Sequence, residues 1–139
     1  MILQEGNALV LKKGNETLRI EAWGKDAIRV RSTLEPAFTG NVWGLTEKPA
    51  DAKAKIEING AGGTLVNGKI KAFISGNGVL SIFKDDTRVL HEYFRSYDPQ
   101  ASKETCCTKI VAREWKGLRG GYDYKLTVRF ESNDGEKLF

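Results

Sequence analysis

Cys106-Cys107 and His91 are the side chains best suited to metal binding or nucleophilic attack, and they are the only cysteines and the only histidine in the sequence. A disulfide between chain neighbours needs a distorted peptide. Two cysteines and one histidine do not make a zinc site of the usual spacing. Both thiols are therefore read as reduced, and an alternating strand puts them on opposite faces. His91 lies in Leu90-His91-Glu92-Tyr93-Phe94 and reads as a strand histidine with a structural role. No metal and no cofactor is expected.

Carboxylates are more plentiful, and glycoside cleavage needs two of them, one to protonate the leaving group and one to act as nucleophile or base. Asp26, Asp85, Asp86 and Asp134 sit at turn positions, where an aspartate bonds to nearby backbone. Glu21, Glu57 and Asp123 read as outward-facing strand residues. No Ser, His and Asp constellation is present. From the residues alone, no active site is visible.

The elements that must position these residues are strands. Thr64 to Phe94 reads as four short strands separated by Asn67-Gly68, Gly76-Asn77-Gly78 and Lys84-Asp85-Asp86. The first of these predicts a type I′ hairpin turn, with positive φ at both central residues. Ile70, Ala72 and Ile74 alternate with Lys69, Lys71 and Phe73, and Leu80 and Ile82 with Ser81, the period of a half-buried strand. Before this meander come Ala8 to Lys13, Thr17 to Trp23, Ala27 to Ser32 and Lys53 to Asn59. In the third, Ile28 and Val30 are read inward, Arg29 and Arg31 outward. Leu34 to Ala54, with Pro36, Gly40, Gly44 and Pro49, reads as a loop across one end of the sheets, with Trp43 plugging the core edge. Gly60, Gly62 and Gly63 are not a phosphate loop, because no Gly-Lys-Ser/Thr follows. Arg95 to Glu104 reads as a loop, Thr105 to Trp115 as a strand, and Tyr122 to Ser132 as one alternating strand. About ten strands at roughly ten-residue spacing predict an all-β, two-sheet antiparallel β-sandwich, with a closed barrel as the alternative.

Composition agrees with a globular domain. The 139 residues make one domain with room for a core, and 40% are hydrophobic and 29% charged. The net charge of +4 is spread over 22 basic and 18 acidic residues without a basic run longer than Lys12-Lys13. That distribution reads as solvated strand faces, not a nucleic-acid surface. No apolar run approaches the roughly 18 residues of a membrane span. Met1-Ile2-Leu3 is followed by Gln4 and Glu5, so no signal peptide is read and the expected compartment is the cytoplasm.

Three stretches carry a resemblance to a known family. They are AIRVRST at Ala27 to Thr33, the run from Gly68 to Tyr93, and FESNDGEKLF at Phe130 to Phe139. The second contains Val79-Leu80-Ser81-Ile82-Phe83-Lys84-Asp85-Asp86 and Val89-Leu90-His91-Glu92. The third matches the approach to a Glu-x-x-Tyr/Phe-Gly-x-Gly element through Glu136, Leu138 and Phe139. In order and spacing the chain resembles the N-terminal domain of glycoside hydrolase family 31, the α-glucosidases and α-xylosidases.

The resemblance implies a galactose mutarotase-like sandwich spanning residues 1–139, packed on a (β/α)8 barrel that carries both catalytic aspartates. The nucleophile belongs to a Trp-Asp-Met-Asn-type motif, which this sequence lacks, so no catalytic residue is assigned to any position. The chain is expected to be a truncated, inactive N-terminal portion of a retaining enzyme acting on terminal α-linked glucose or xylose. Its implied partners are the catalytic barrel of the same parent chain and, through it, an α-linked oligosaccharide, with no nucleic acid and no membrane. Trp43, Tyr97 and Trp115 are the expected contacts to the barrel or to sugar. A free-standing carbohydrate- or nucleic-acid-binding module is the alternative, and a small mutarotase-like enzyme a third reading, for which one histidine is thin support.

Overall fold

A computed structural model describes residues 1–40, 53–95, 109–121 and 123–131. Among these residues all regular structure is β-strand. Contacts divide the chain into two units, Met1–Arg88 and Val89–Phe139, and the division falls within the strand Thr87–Glu92.

The first unit is a sandwich. Its first sheet runs in chain order through β1 (Ile2–Glu5), β2 (Ala8–Lys13), β3 (Glu16–Ala22) and β4 (Ile28–Thr33). Its second holds β5 (Lys55–Asn59), β6 (Gly62–Asn67), β7 (Ile70–Ser75) and β8 (Leu80–Lys84), each antiparallel to the next. Register decides which side chains meet. Leu9 lies opposite Ile20 and Leu11 opposite Leu18. On the other sheet Leu65 lies opposite Ala72, and Ile74 opposite Leu80. These eight side chains form the core, and burying each of the larger ones stabilises the fold by about 1.5–3 kcal/mol. Gly63 of β6 lets the sheets approach closely. A Cβ there would lie 2.8 Å from both Ile2 Cγ2 and Leu9 Cδ1.

The turns differ from expectation in an instructive way. Asn67 pairs with Ile70, so the two-residue loop is Gly68-Lys69 and not Asn67-Gly68. Gly68 has φ +59°, and Asn67 and Lys69 are not in the left-handed region. That is a type II′ arrangement with glycine first, which also follows the twist of the strands. The type I′ requirement for two left-handed residues is met instead at Asp85 and Asp86, with φ of 47° and 64°. In the Gly76-Asn77-Gly78 loop, Gly78 N donates to Ser75 O at 2.8 Å and Gly78 takes φ 82°.

Several strand expectations are also corrected. β1 was not anticipated, and the described residues hold twelve strands. Ser81, read as outward, is buried. Val30 lies on the core side as read, opposite Ile20, yet it is partly exposed, because β4 ends the first sheet and has a neighbour on one side only.

In the second unit β9 (Thr87–Glu92) pairs with β12 (Phe130–Glu131) through Phe130 opposite Glu92 and Glu131 opposite His91. β10 (Arg113–Gly117) and β11 (Tyr124–Val128) form a separate hairpin. The single strand expected from Tyr122 to Ser132 is thus split at Arg129. There the amide N donates to Ala112 O and the carbonyl accepts from Tyr93 N at 2.7 Å. Trp43, Tyr97, Cys106, Cys107, Tyr122 and Asp134, with the expectations made for them, lie outside the described residues.

Candidate functional site

Two surfaces concentrate polar and aromatic groups, and they belong to different units. The first is the non-core face of the first sheet. The register that turns Leu9, Leu18 and Ile20 inward puts Glu5, Lys12, Arg19, Glu21, Arg29 and Arg31 on the opposite face. Glu21 is the hub. Its carboxylate lies 2.9 Å from Arg31, 3.6 Å from Arg19 and 3.9 Å from Arg29. Glu5 takes Arg19 at 3.1 Å and Lys12 at 3.5 Å. The guanidinium groups of Arg29 and Arg31 lie over the rings of Trp23 and Phe38, with 4.4 and 4.7 Å to the centroids, cation–π contacts of about 0.5–1 kcal/mol at exposed sites.

Phe38 divides two shallow hollows of about 280 and 250 Å³. One is bounded by Arg31, Ser32 and Glu35, the other by Glu5, Lys12 and Arg19 over Val10. Arg31 Nε is buried there without a hydrogen-bond partner. The arrangement can bind polar groups. The Ser32 hydroxyl at its edge donates to Glu16 at 2.7 Å, and no His or Cys is among the residues that line either hollow.

The second surface is the β10–β11 hairpin. Trp115 opposes Leu126, Arg113 opposes Val128 and Gly117 opposes Tyr124, so one face carries the apolar groups. Glu114, Lys116, Lys125 and Thr127 occupy the other. Trp115 is half-buried, and its indole Nε1 is buried without a partner. Leu118, at the β10 end of the connecting loop, and Tyr124 are each about half exposed. Elsewhere in this unit Val89, Val111 and Phe130 are exposed too. Arg113 is deeply buried with Glu92, which accepts from its guanidinium.

Several of the acids are held by cations. Arg129, at 3.0 Å, and then Lys116, at 3.1 Å, hold the Glu114 carboxyl below the usual range. Lys71, bonded at 2.5 Å, does the same to Asp86. A general acid working at neutral pH needs the opposite shift. Asp26, read as a locally bonded turn residue, instead reaches across the sandwich to accept from Lys69 N at 2.9 Å. Asn67 returns the contact, its amide donating to Gly24 O at 2.8 Å and Ala27 O at 2.6 Å. His91 lies in β9, half-buried, opposite Glu131. Sequence reasoning did not find the Asn67–Asp26 clamp, the Glu92–Arg113 pair or the Phe38 hollows. The only signal for them was a polar residue at a buried strand position.

These features define an all-β protein with an ion-paired sheet face and an apolar hairpin face. No family model matches the chain. It is 33% identical, over 147 aligned residues, to an uncharacterized family 31 glucosidase (ORF2) of Pseudescherichia vulneris. That similarity takes in 99% of this chain and 27% of the relative. Its fold matches the crystal structure of a family 31 α-xylosidase from a soil metagenome, solved with xylose, at a TM-score of 0.83 and 31% identity, over 97% of this chain and 21% of the xylosidase. The chain is similar to family 31 glycosidases over nearly its whole length, and it spans about a quarter of the length of the relatives it matches.

Proposed function

We propose that the chain is the non-catalytic β-sandwich of a retaining α-glycosidase, and that it packs on the catalytic barrel of the same parent protein and helps to shape the substrate site. The supporting observation is the pattern of coverage. Nearly all of this chain is similar to two family 31 proteins, and each of them is several times longer. The parent reaction is hydrolysis of terminal α-linked glucose or xylose in the cytoplasm. The hairpin face that carries Trp115, Tyr124 and Leu126 is the contact to the barrel. Exposed apolar groups collected in one region are the usual mark of such a contact, and contacts of this kind involve several hundred Å² or more.

Two measurements test this reading. The purified chain is expected to give no turnover of aryl α-glucosides or α-xylosides, and turnover would reveal a site within it. A family 31 barrel expressed without its own sandwich is expected to bind the chain, and Tyr124→Lys with Leu126→Lys to weaken that binding by about tenfold or more, which is at least ~1.4 kcal/mol. Unchanged binding by the double variant would overturn the assignment of the face.

A further inference from the structure

Three Asn-Gly dipeptides occur in the described residues, at Asn59-Gly60, Asn67-Gly68 and Asn77-Gly78. An asparagine followed by glycine is open to attack by the next backbone amide, because glycine has no side chain to obstruct the approach. The three share a local sequence but not an environment. Asn67 is 8% exposed and both of its side-chain bonds run to carbonyls of another turn. Asn59 is exposed, but its Oδ1 accepts from Ala61 N at 2.9 Å and Gly62 N at 3.3 Å. Asn77 is exposed at a loop tip, and among the described residues its one bonded atom is the main-chain oxygen, which accepts from Lys13 Nζ at 2.6 Å.

We infer that Asn77 is a site of spontaneous deamidation in the folded protein, and that the fold protects Asn67 and Asn59 from the same reaction. The nitrogen of Gly78 attacks Cγ of Asn77. The new N–Cγ bond replaces Cγ–Nδ2, and the side-chain nitrogen leaves as ammonia, taking the proton of the Gly78 amide. Water then opens the cyclic imide at either carbonyl, leaving aspartate or isoaspartate. To reach this geometry the Gly78 amide leaves its hydrogen bond to Ser75 O. Asn67 would have to break both inter-turn bonds and leave a buried position.

The product matters because of where the loop sits. A Cβ on Gly78 would lie 3.1 Å from Leu11 Cδ2 and 3.3 Å from Lys13 Cδ, so the loop backbone rests directly on β2. Isoaspartate adds a methylene to the main chain at this point and turns the carbonyl that Lys13 holds into a carboxylate that branches off the chain. The modification therefore loosens the contact between the two sheets at this end.

Trypsin separates the sites. Cleavage at lysines yields Ala72–Lys84, which carries Asn77 alone, and Ile56–Lys69, which carries the other two. After incubation of the folded chain at mildly alkaline pH, mass spectrometry is expected to find the amide-to-acid mass change in Ala72–Lys84 well before Ile56–Lys69. In urea the three sites are expected to react at similar rates. The variant Asn77→Ser is expected to keep its urea midpoint through an incubation that lowers that of the unsubstituted chain. Equal rates at the three sites in the folded protein, or an Asn77 that stays an amide while the unfolded chain reacts, would overturn the inference.

Discussion

Asn67 shows how one polar side chain joins two hairpins. Its amide satisfies two carbonyls of the β3–β4 turn, while Asp26 in that turn accepts Lys69 N. Removing a donor from buried acceptors costs their desolvation, about 1–3 kcal/mol. Asn67→Ala is therefore expected to lower stability by about 2 kcal/mol, read as a lower urea midpoint at constant slope. Asn67→Asp is expected to cost more at neutral pH, since it sets a carboxylate against two carbonyl oxygens. Asp26→Asn keeps the acceptor and tolerates φ 53°, so it is expected to be close to neutral, with Asp26→Ala about 1–2 kcal/mol worse. An Asn67→Ala variant as stable as the parent would show that the clamp contributes nothing. None of this was legible beforehand. The dipeptide correctly announced a hairpin, but the bonds join residues 40 or more positions apart, and local pattern carries no information at that range.

At the scale of the element, β6 and the β10–β11 hairpin behave differently. β6 begins at Gly62, two residues before the strand read from sequence, because glycine gives no alternation signal. Gly63→Ala is expected to force Ile2 and Leu9 aside and to cost about 1–3 kcal/mol by overpacking. A stable Gly63→Ala variant would mean that the two sheets can separate to admit a methyl group. In the hairpin, Glu114 has a folded pKa below its ordinary 4.5, caused first by Arg129 and then by Lys116. A depressed carboxyl stabilises the folded state above its unfolded pKa, and that contribution is lost as pH falls below about 4.5 through the folded value. The Glu114 side chain is expected to titrate below 4.5 by NMR, and Arg129→Gln to move it back up. Titration unchanged by Arg129→Gln would assign the shift to another cause. Strand alternation was legible for β3, β7 and β11. It failed where tertiary contacts interrupt it, as at Arg129, where pairing with Ala112 and Tyr93 turns one apparent strand into two.

At the scale of the molecule, the chain is a β-sandwich domain similar to family 31 glycosidases over about a quarter of their length. The contrast between the units fits the proposed role. The first closes its two sheets over a dry core. The second exposes Val89, Val111, Leu118, Tyr124 and Phe130, and the association of the chain with a separately made barrel is the whole-molecule measurement that follows.

By itself the sequence determined the all-β class and the meander from β6 to β9, because alternation and turn residues act over two to four positions and survive without knowledge of neighbours. Tertiary structure alone decided the type II′ turn at Gly68-Lys69, the Asn67–Asp26 clamp, the burial of Glu92 with Arg113 and the crowding of three arginines on Glu21. Each depends on register between strands or on contact between sheets, and a shift of one residue would have turned the same side chains to the other face.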